Sequence, residues 1–444
     1  MTEVSFIQSM LVLAVGIVLI VVLTTRYKMH AFFALLLACL VVGLGLNMPF
    51  TEVLATGKTG FGHIIGALGL IIVFGTTLGM ILEHTGATLV LANAILRLTG
   101  QRSAAQAMNI TGYVVGLPIF CDSGYIVLSG LNNNLARRTG TAMALMAASL
   151  ASGLYAVHCL LPPHPGAAAA TATLEADFGR VILYGMLVAI PTACCGWLWA
   201  RYAVRSLPAP VTETGQQEIP DTPQPLPSLL LSVLPVAIPI LLIGIRSFTT
   251  ADGSSSFPVR MVQAIGTPEA ALGIGILLAI AGKRRWKKED VNGLLRHAVE
   301  KAGDILLIIG AGGAFGALIA QAQLGQHLAG NSMVSNMGLF FPFLVAAVLK
   351  TAQGSSSVAI ITAATMVLPM LPSLGLDHPM GRVFAVLAMG AGSMMVSHAN
   401  DSYFWVISRF SGVGMAAMLR VYTVATLLMG LVAVGTVYLL SLFY

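Results

Sequence analysis

The sequence predicts an all-α integral membrane protein: a polytopic helix bundle of two inverted repeats, each with a re-entrant hairpin and a broken helix. Three observations predict it. Of 444 residues, 57% are hydrophobic and only 9% charged, whereas a soluble domain carries roughly a quarter charged residues. The apolar residues come in long runs. Polar, Pro- and Gly-rich interruptions then recur at matching places in the two halves.

The runs at 5–23, 31–46, 64–82, 181–200, 229–245, 303–320 and 420–443 are each nearly free of charge. A bilayer core of about 30 Å needs roughly 20 such residues per helix. Several runs are shorter, so some spans borrow polar flanks or are re-entrant. The N-terminus carries Glu3 and lacks both a basic stretch and an A-x-A site. Residues 5–23 therefore read as a retained first span, not a cleaved leader. The stretch 288–302 mixes charge with Leu294, Leu295 and Val299 and reads as a surface helix entering the next span.

Charge sets the orientation. If the first span runs inward, only Lys58, Arg180, Arg246, Arg260, Lys350 and Arg382 fall outside or deep in the membrane. The other 17 of 23 basic residues, including Arg137, Arg138 and the run at 283–288, lie on the cytoplasmic side. The positive-inside rule selects this orientation, with both termini periplasmic in a bacterial inner membrane. The same rule accounts for the net charge of +6 without a nucleic-acid partner. Cys39, Cys121, Cys159, Cys194 and Cys195 show no metal-type spacing, so neither a zinc site nor a disulfide framework is expected.

Residues 206–228 are polar and rich in proline, a cytoplasmic linker between a first membrane repeat (1–205) and a second (229–444). The halves resemble each other. Gly75 and Gly79 in 70–86 match Gly312 and Gly316 in 307–325, and 149–158 matches 389–398, at offsets of about 237 and 240 residues. By the charge count the paired segments run in opposite directions. Inverted repeats with solute held at discontinuous helices are a mark of secondary transporters.

Four interruptions mark where helices break. GLPIFCDSG at 116–124 sits in an apolar segment with basic residues at both ends, so it reads as a re-entrant tip. Pro118 lacks an N–H, and Gly116 and Gly124 relax the backbone. Asp122 then lies deep in the bilayer, where a charge costs several kcal/mol; it is a candidate for holding a proton or orienting substrate, with neighbouring Ser123. AQGSSS at 352–357 is the matching tip of the second half, with Gln353, Gly354, Ser355 and Ser356 as neutral donors. Helix N-termini at such tips favour an anionic group. HCLLPPHPG at 158–166 cannot continue as helix, and it carries His158 and His164 as titratable candidates. SHANDSYFW at 397–405 crowds His398, Asn400 and Asp401 after an apolar span. These groups suit a binding site, with closure of a broken helix as the rival role.

Together the interruptions imply passage of a small polar solute by alternating access. An intramembrane enzyme using His158, His164 and Asp401 would need a nucleophile motif or HExxH, and neither occurs. A channel would not need inverted broken helices.

These motifs also carry a resemblance. The Met29–Phe32 stretch, GLPIFCDSG, LPPHPG, AQGSSSVA and VSHANDSYFW resemble the gluconate permease family of the ion-transporter superfamily, over essentially the whole chain. The resemblance implies an elevator-type transporter: a homodimer in the lipid membrane that imports a sugar acid with protons. It implies no other cofactor. A D-amino acid as substrate and sodium as coupling ion are the alternatives. It places Asp122, Ser123, Gln353, Gly354, Ser355, Ser356, His398, Asn400 and Asp401 on the substrate. Cys121, Ser123 and Ala167 depart from the family's usual residues.

Overall fold

The structure, a computed structural model, describes residues 6–99, 103–206, 226–249, 257–282, 286, 288–321 and 337–444. These residues form helices and connecting turns, with no strand among them. Six helices are long and apolar enough to cross a membrane, and a pair bent by 70° makes up to seven. Most of the expected linker, 207–225, and much of the basic run at 283–288 lie outside the described residues.

The first half begins with α1 (Phe6–Thr25), α2 (Ala31–Gly45) and α3 (Phe50–His84). A short helix α4 (Ala87–Thr99) follows the left-handed Gly86. Next comes the hairpin α5 (Ala104–Gly116) and α6 (Cys121–Thr139). The turn between them holds Pro118 and Phe120, where the missing N–H of proline stops the first arm. Two segments, α7 (Met143–Leu160) and α8 (Pro165–Thr173), form one helix broken at Leu161–His164. Proline at the first position of α8 lets the helix restart with no backbone donor lost. Finally α9 (Phe178–Ala203) returns. Every residue of α7 from Met146 onward is buried, as expected of a helix that is apolar on all sides.

The second half repeats this order. It runs α10 (Leu229–Thr249), α11 (Phe257–Ile265), α12 (Pro268–Ala281) and α13 (Lys288–Gln321). A second hairpin follows, α14 (Phe340–Gln353) and α15 (Ser356–Val367). A second broken helix is α16 (Pro379–Gly392) and α17 (Ser402–Ser411). The last is α18 (Met415–Ser441), with a π-helical turn at Leu419–Thr423. The stretch 288–302 enters the next span as expected, continuing without a break as the first turns of α13.

The two long helices α3 and α13 pack along each other and cross at Gly60 and Gly313. A Cβ on Gly313 would stand 2.7 Å from the Gly60 carbonyl oxygen, so only glycine allows this approach. Side-chain contacts fix which ends lie together. His84 stacks on Trp286 at 5.7 Å, joining the end of α3 to the start of α13. Trp199 donates to the Arg420 carbonyl at 3.3 Å, joining α9 and α18. At the opposite end, Arg382 donates to the Leu174 carbonyl and to Glu175, each at 3.0 Å. Ser247 there donates to Asp177.

Candidate functional site

The two hairpins and two broken helices interlock. The second arm of each hairpin packs on a broken helix of the other half, α6 on α17 and α15 on α8. Their breaks enclose a cavity of about 260 Å³. Its wall includes Cys121 and Asp122, the first residues of α6, and Pro165, the first of α8. From the second half come Ser355, Ser356 and Ser357 at the start of α15, and Asp401 and Ser402 at the start of α17. Four helices therefore present their N-terminal turns to one cavity. Each brings unpaired N–H groups and the positive end of its dipole, which favour an anion. The serine hydroxyls add neutral polar groups to the wall, whereas the hydroxyls of Tyr155 and Tyr403 donate to the Ser393 and Ala151 carbonyls.

Asp122 is half-buried, and its Oδ1 finds no hydrogen-bond partner among the described residues. His158 also lines the cavity, edge-on to Phe120 and stacked with Tyr155. His164 stands behind it, 4.9 Å between ring centroids, and its Nε2 pairs with the Gly116 carbonyl at 2.8 Å. That bond ties the break in α7–α8 to the end of α5, so His164 braces the first hairpin instead of facing the cavity.

The second tip is held from behind. Gly354 has φ +84, and a Cβ there would collide with the Asn400 carbonyl oxygen. Only glycine fits on both counts. Asn400 donates to the Thr351 carbonyl at 2.8 Å, and His398 Nε2 lies 3.3 Å from the same oxygen. These side chains close the C-terminal carbonyls of α14, which have no partner within the helix. Asn400, His398 and Gly354 thus build the tip; the buried Gln353 side-chain amide finds no hydrogen-bond partner among the described residues, and none of the four lines the cavity. Ser123 points to the rim, where it accepts from Lys301 Nζ at 2.9 Å.

Two cations that the sequence marks only for topology also belong to the site. Lys301 and Asp304 come from α13 and line the cavity; the Lys301 ammonium lies 4.7 Å from the Phe120 ring centroid. Lys350 is fully buried, and its ammonium donates to Asp401 Oδ2 at 2.6 Å and to the Gly354 carbonyl. Ser397 donates to the same carboxylate oxygen at 2.5 Å, while Asp401 Oδ1 accepts from Tyr403 N at 3.0 Å and caps α17. Spacing gives no hint of this pair, since its members lie 51 residues apart. A lysine inside an apolar run, one turn before a glycine break, is the signal that was there to follow. No group of three or more metal-binding side chains occurs among the described residues.

A cavity walled by helix N-termini from two inverted halves, inside a multi-span bundle, defines a membrane transporter of the broken-helix class. The model of the GntP family permeases matches residues 8–443, and the chain belongs to that family. It is 33% identical to the gluconate permease of Pseudomonas aeruginosa, covering 96% of each chain. It is also 33% identical to the D-serine transporter DsdX of Escherichia coli, covering 97% of each. The Gnt-II system L-idonate transporter of Escherichia coli is 31% identical, with 96% of this chain and 98% of that one covered. The fold also matches solved structures at 16% identity. The YdaH transporter of Alcanivorax borkumensis gives a TM-score of 0.62 over 89% of this chain and 90% of that one. MtrF of Neisseria gonorrhoeae gives 0.61 over 87% and 83%.

Proposed function

We propose that this permease imports a sugar acid, gluconate or a related aldonate, together with protons across the bacterial inner membrane. It works as a homodimer with both termini on the periplasmic side. The convergence of four helix N-termini on one cavity carries the reading. They suit the carboxylate, and the serine hydroxyls suit the polyol chain. Relatives named for gluconate, L-idonate and D-serine transport share a carboxylate on a small hydroxylated body.

Asp122 supplies the coupling. An ionised carboxylate in this cavity repels the substrate anion, so protonation of Asp122 permits binding, and release of both on the inside completes the cycle. In proteoliposomes, Asp122→Asn loses proton-driven accumulation of labelled gluconate and keeps exchange. Accumulation against a gradient at the wild-type level would end this reading. Uptake under a proton gradient in sodium-free buffer separates protons from sodium. A D-amino acid is the second reading, favoured by the D-serine relative and by the unpartnered Asp122 Oδ1, which could receive an ammonium group. Competition by D-serine against gluconate decides between them.

A further inference from the structure

Lys350 holds its charge in an unusual place. It stands one turn before the break that ends α14, and its ammonium reaches forward to the Gly354 carbonyl at that break. Its second partner is the Asp401 carboxylate, which Ser397 also supports. The face of the Tyr155 ring lies 5.7 Å away at its centroid. A carbonyl at a helix C-terminus, a carboxylate and a backing hydroxyl are the oxygens by which transporters with broken helices hold a coupling cation. The negative end of the α14 dipole points there as well. Lysine suits this place because its ammonium is a compact point charge on a flexible stem.

We propose that the Lys350 ammonium is a built-in cation, standing in the oxygen cage where a sodium ion would otherwise sit. It joins the tip of the second hairpin to the cap of the second broken helix, and it balances Asp401 beside the substrate cavity. The cage is thus filled in every state of the cycle, and transport needs no sodium. The inference rests on the transport reading only for its uptake arm.

The decisive experiment removes the side chain and offers a free cation instead. Wild type and Lys350→Ala are purified in detergent and melted in choline chloride, sodium chloride and methylammonium chloride, without substrate. Wild type melts alike in all three. Lys350→Ala melts lower in choline and is raised by methylammonium or sodium, increasingly with concentration as mass action requires. Adding Asp401→Asn abolishes that response. In proteoliposomes, gluconate uptake by Lys350→Ala falls at least about tenfold in choline and recovers with the same cation, as loss of one partner of a buried pair demands. A folded Lys350→Ala that ignores both cations overturns the proposal, and so does a wild type stabilised by sodium. Should Lys350→Ala fail to insert, Lys350→Ser takes its place under the same criteria: sodium or methylammonium raises its melting temperature, and indifference to both cations overturns the proposal. Melting needs no substrate, so an error in the choice of gluconate would leave that arm intact.

Discussion

Asp401 offers the sharpest test of what holds the site together. Its partner Lys350 has a side chain with no exposed surface, and its own side chain is 6% exposed. Removing one member of such a pair leaves the other charge buried, which costs about 3–5 kcal/mol. Asp401→Asn keeps an oxygen to cap α17 and loses only the charge. Asp401→Ala also loses the cap on Tyr403 N, worth about 1 kcal/mol more. The double variant Lys350→Met/Asp401→Asn leaves no buried charge alone, and it stays within about 1–2 kcal/mol of wild type. Unfolding entropy of about 2.1 cal/mol/K per residue over 444 residues gives roughly 0.9 kcal/mol/K. A loss of about 4 kcal/mol then lowers the melting temperature by at least about 4 °C, and by more because unfolding in a micelle keeps helices and releases less entropy. Thermal melts of the purified single and double variants measure this. If the losses simply add, so that the double variant is the worst of the set, the ion pair is not what holds the break.

Three further outcomes follow from particular contacts. Gly354→Ala places a Cβ against Asn400 and forces an L-residue into a left-handed conformation, at about 1–2 kcal/mol before any clash; gluconate uptake falls about tenfold or more while the protein still reaches the membrane. Asn400→Ala removes a bond to the Thr351 carbonyl and lowers stability by about 1 kcal/mol, yet leaves the KM for uptake nearly unchanged, whereas Ser356→Ala on the cavity wall raises it. Lys301→Met removes an exposed cation from the rim; the KM for an anionic substrate rises a few-fold at low salt and the difference shrinks at high ionic strength.

Sequence reading located the breaks because their signals are local. Proline, glycine and charge inside an apolar run cannot be accommodated by an unbroken span, whatever the tertiary structure. Asp122, Ser355, Ser356 and Asp401 were found this way, and all line one cavity. For Asn400 and His398 the sequence leaves two roles open, because capping carbonyls and binding substrate call for the same side chains. Which of the two occurs depends on where α14 ends relative to a loop some 50 residues later. In the sequence Lys350 bears on topology alone, since a single lysine becomes significant only when a distant carboxylate is known to meet it. The reach of α13 into the site was hidden for a related reason. Lys301 sits where an amphipathic stretch turns apolar, and nothing in that pattern says which neighbour its ammonium meets.

The matched glycines of the two long helices carry the last step. Gly79 of α3 lies against the tip of its own half's hairpin, where a Cβ would stand 2.7 Å from the Pro118 carbonyl oxygen. Its counterpart Gly316 of α13 would, under exact two-fold symmetry at the same offset, meet Ser355 at the other tip. Instead a Cβ on Gly316 would stand 2.8 Å from Thr365, ten residues further along, which is about 15 Å of helix. The same displacement shows on the cavity, whose contacts with α13 are Lys301, Asp304, Ile305 and Ile308 near its polar beginning. The hairpins and broken helices are therefore offset as a unit toward the end where His84 meets Trp286. An arrangement in which the second tip meets Gly316 and the first slides past Gly79 uses the same kinds of contact. Under the transport reading proposed above, this asymmetry is what alternating access asks of an inverted repeat: one packing for each side of the membrane, exchanged between the halves.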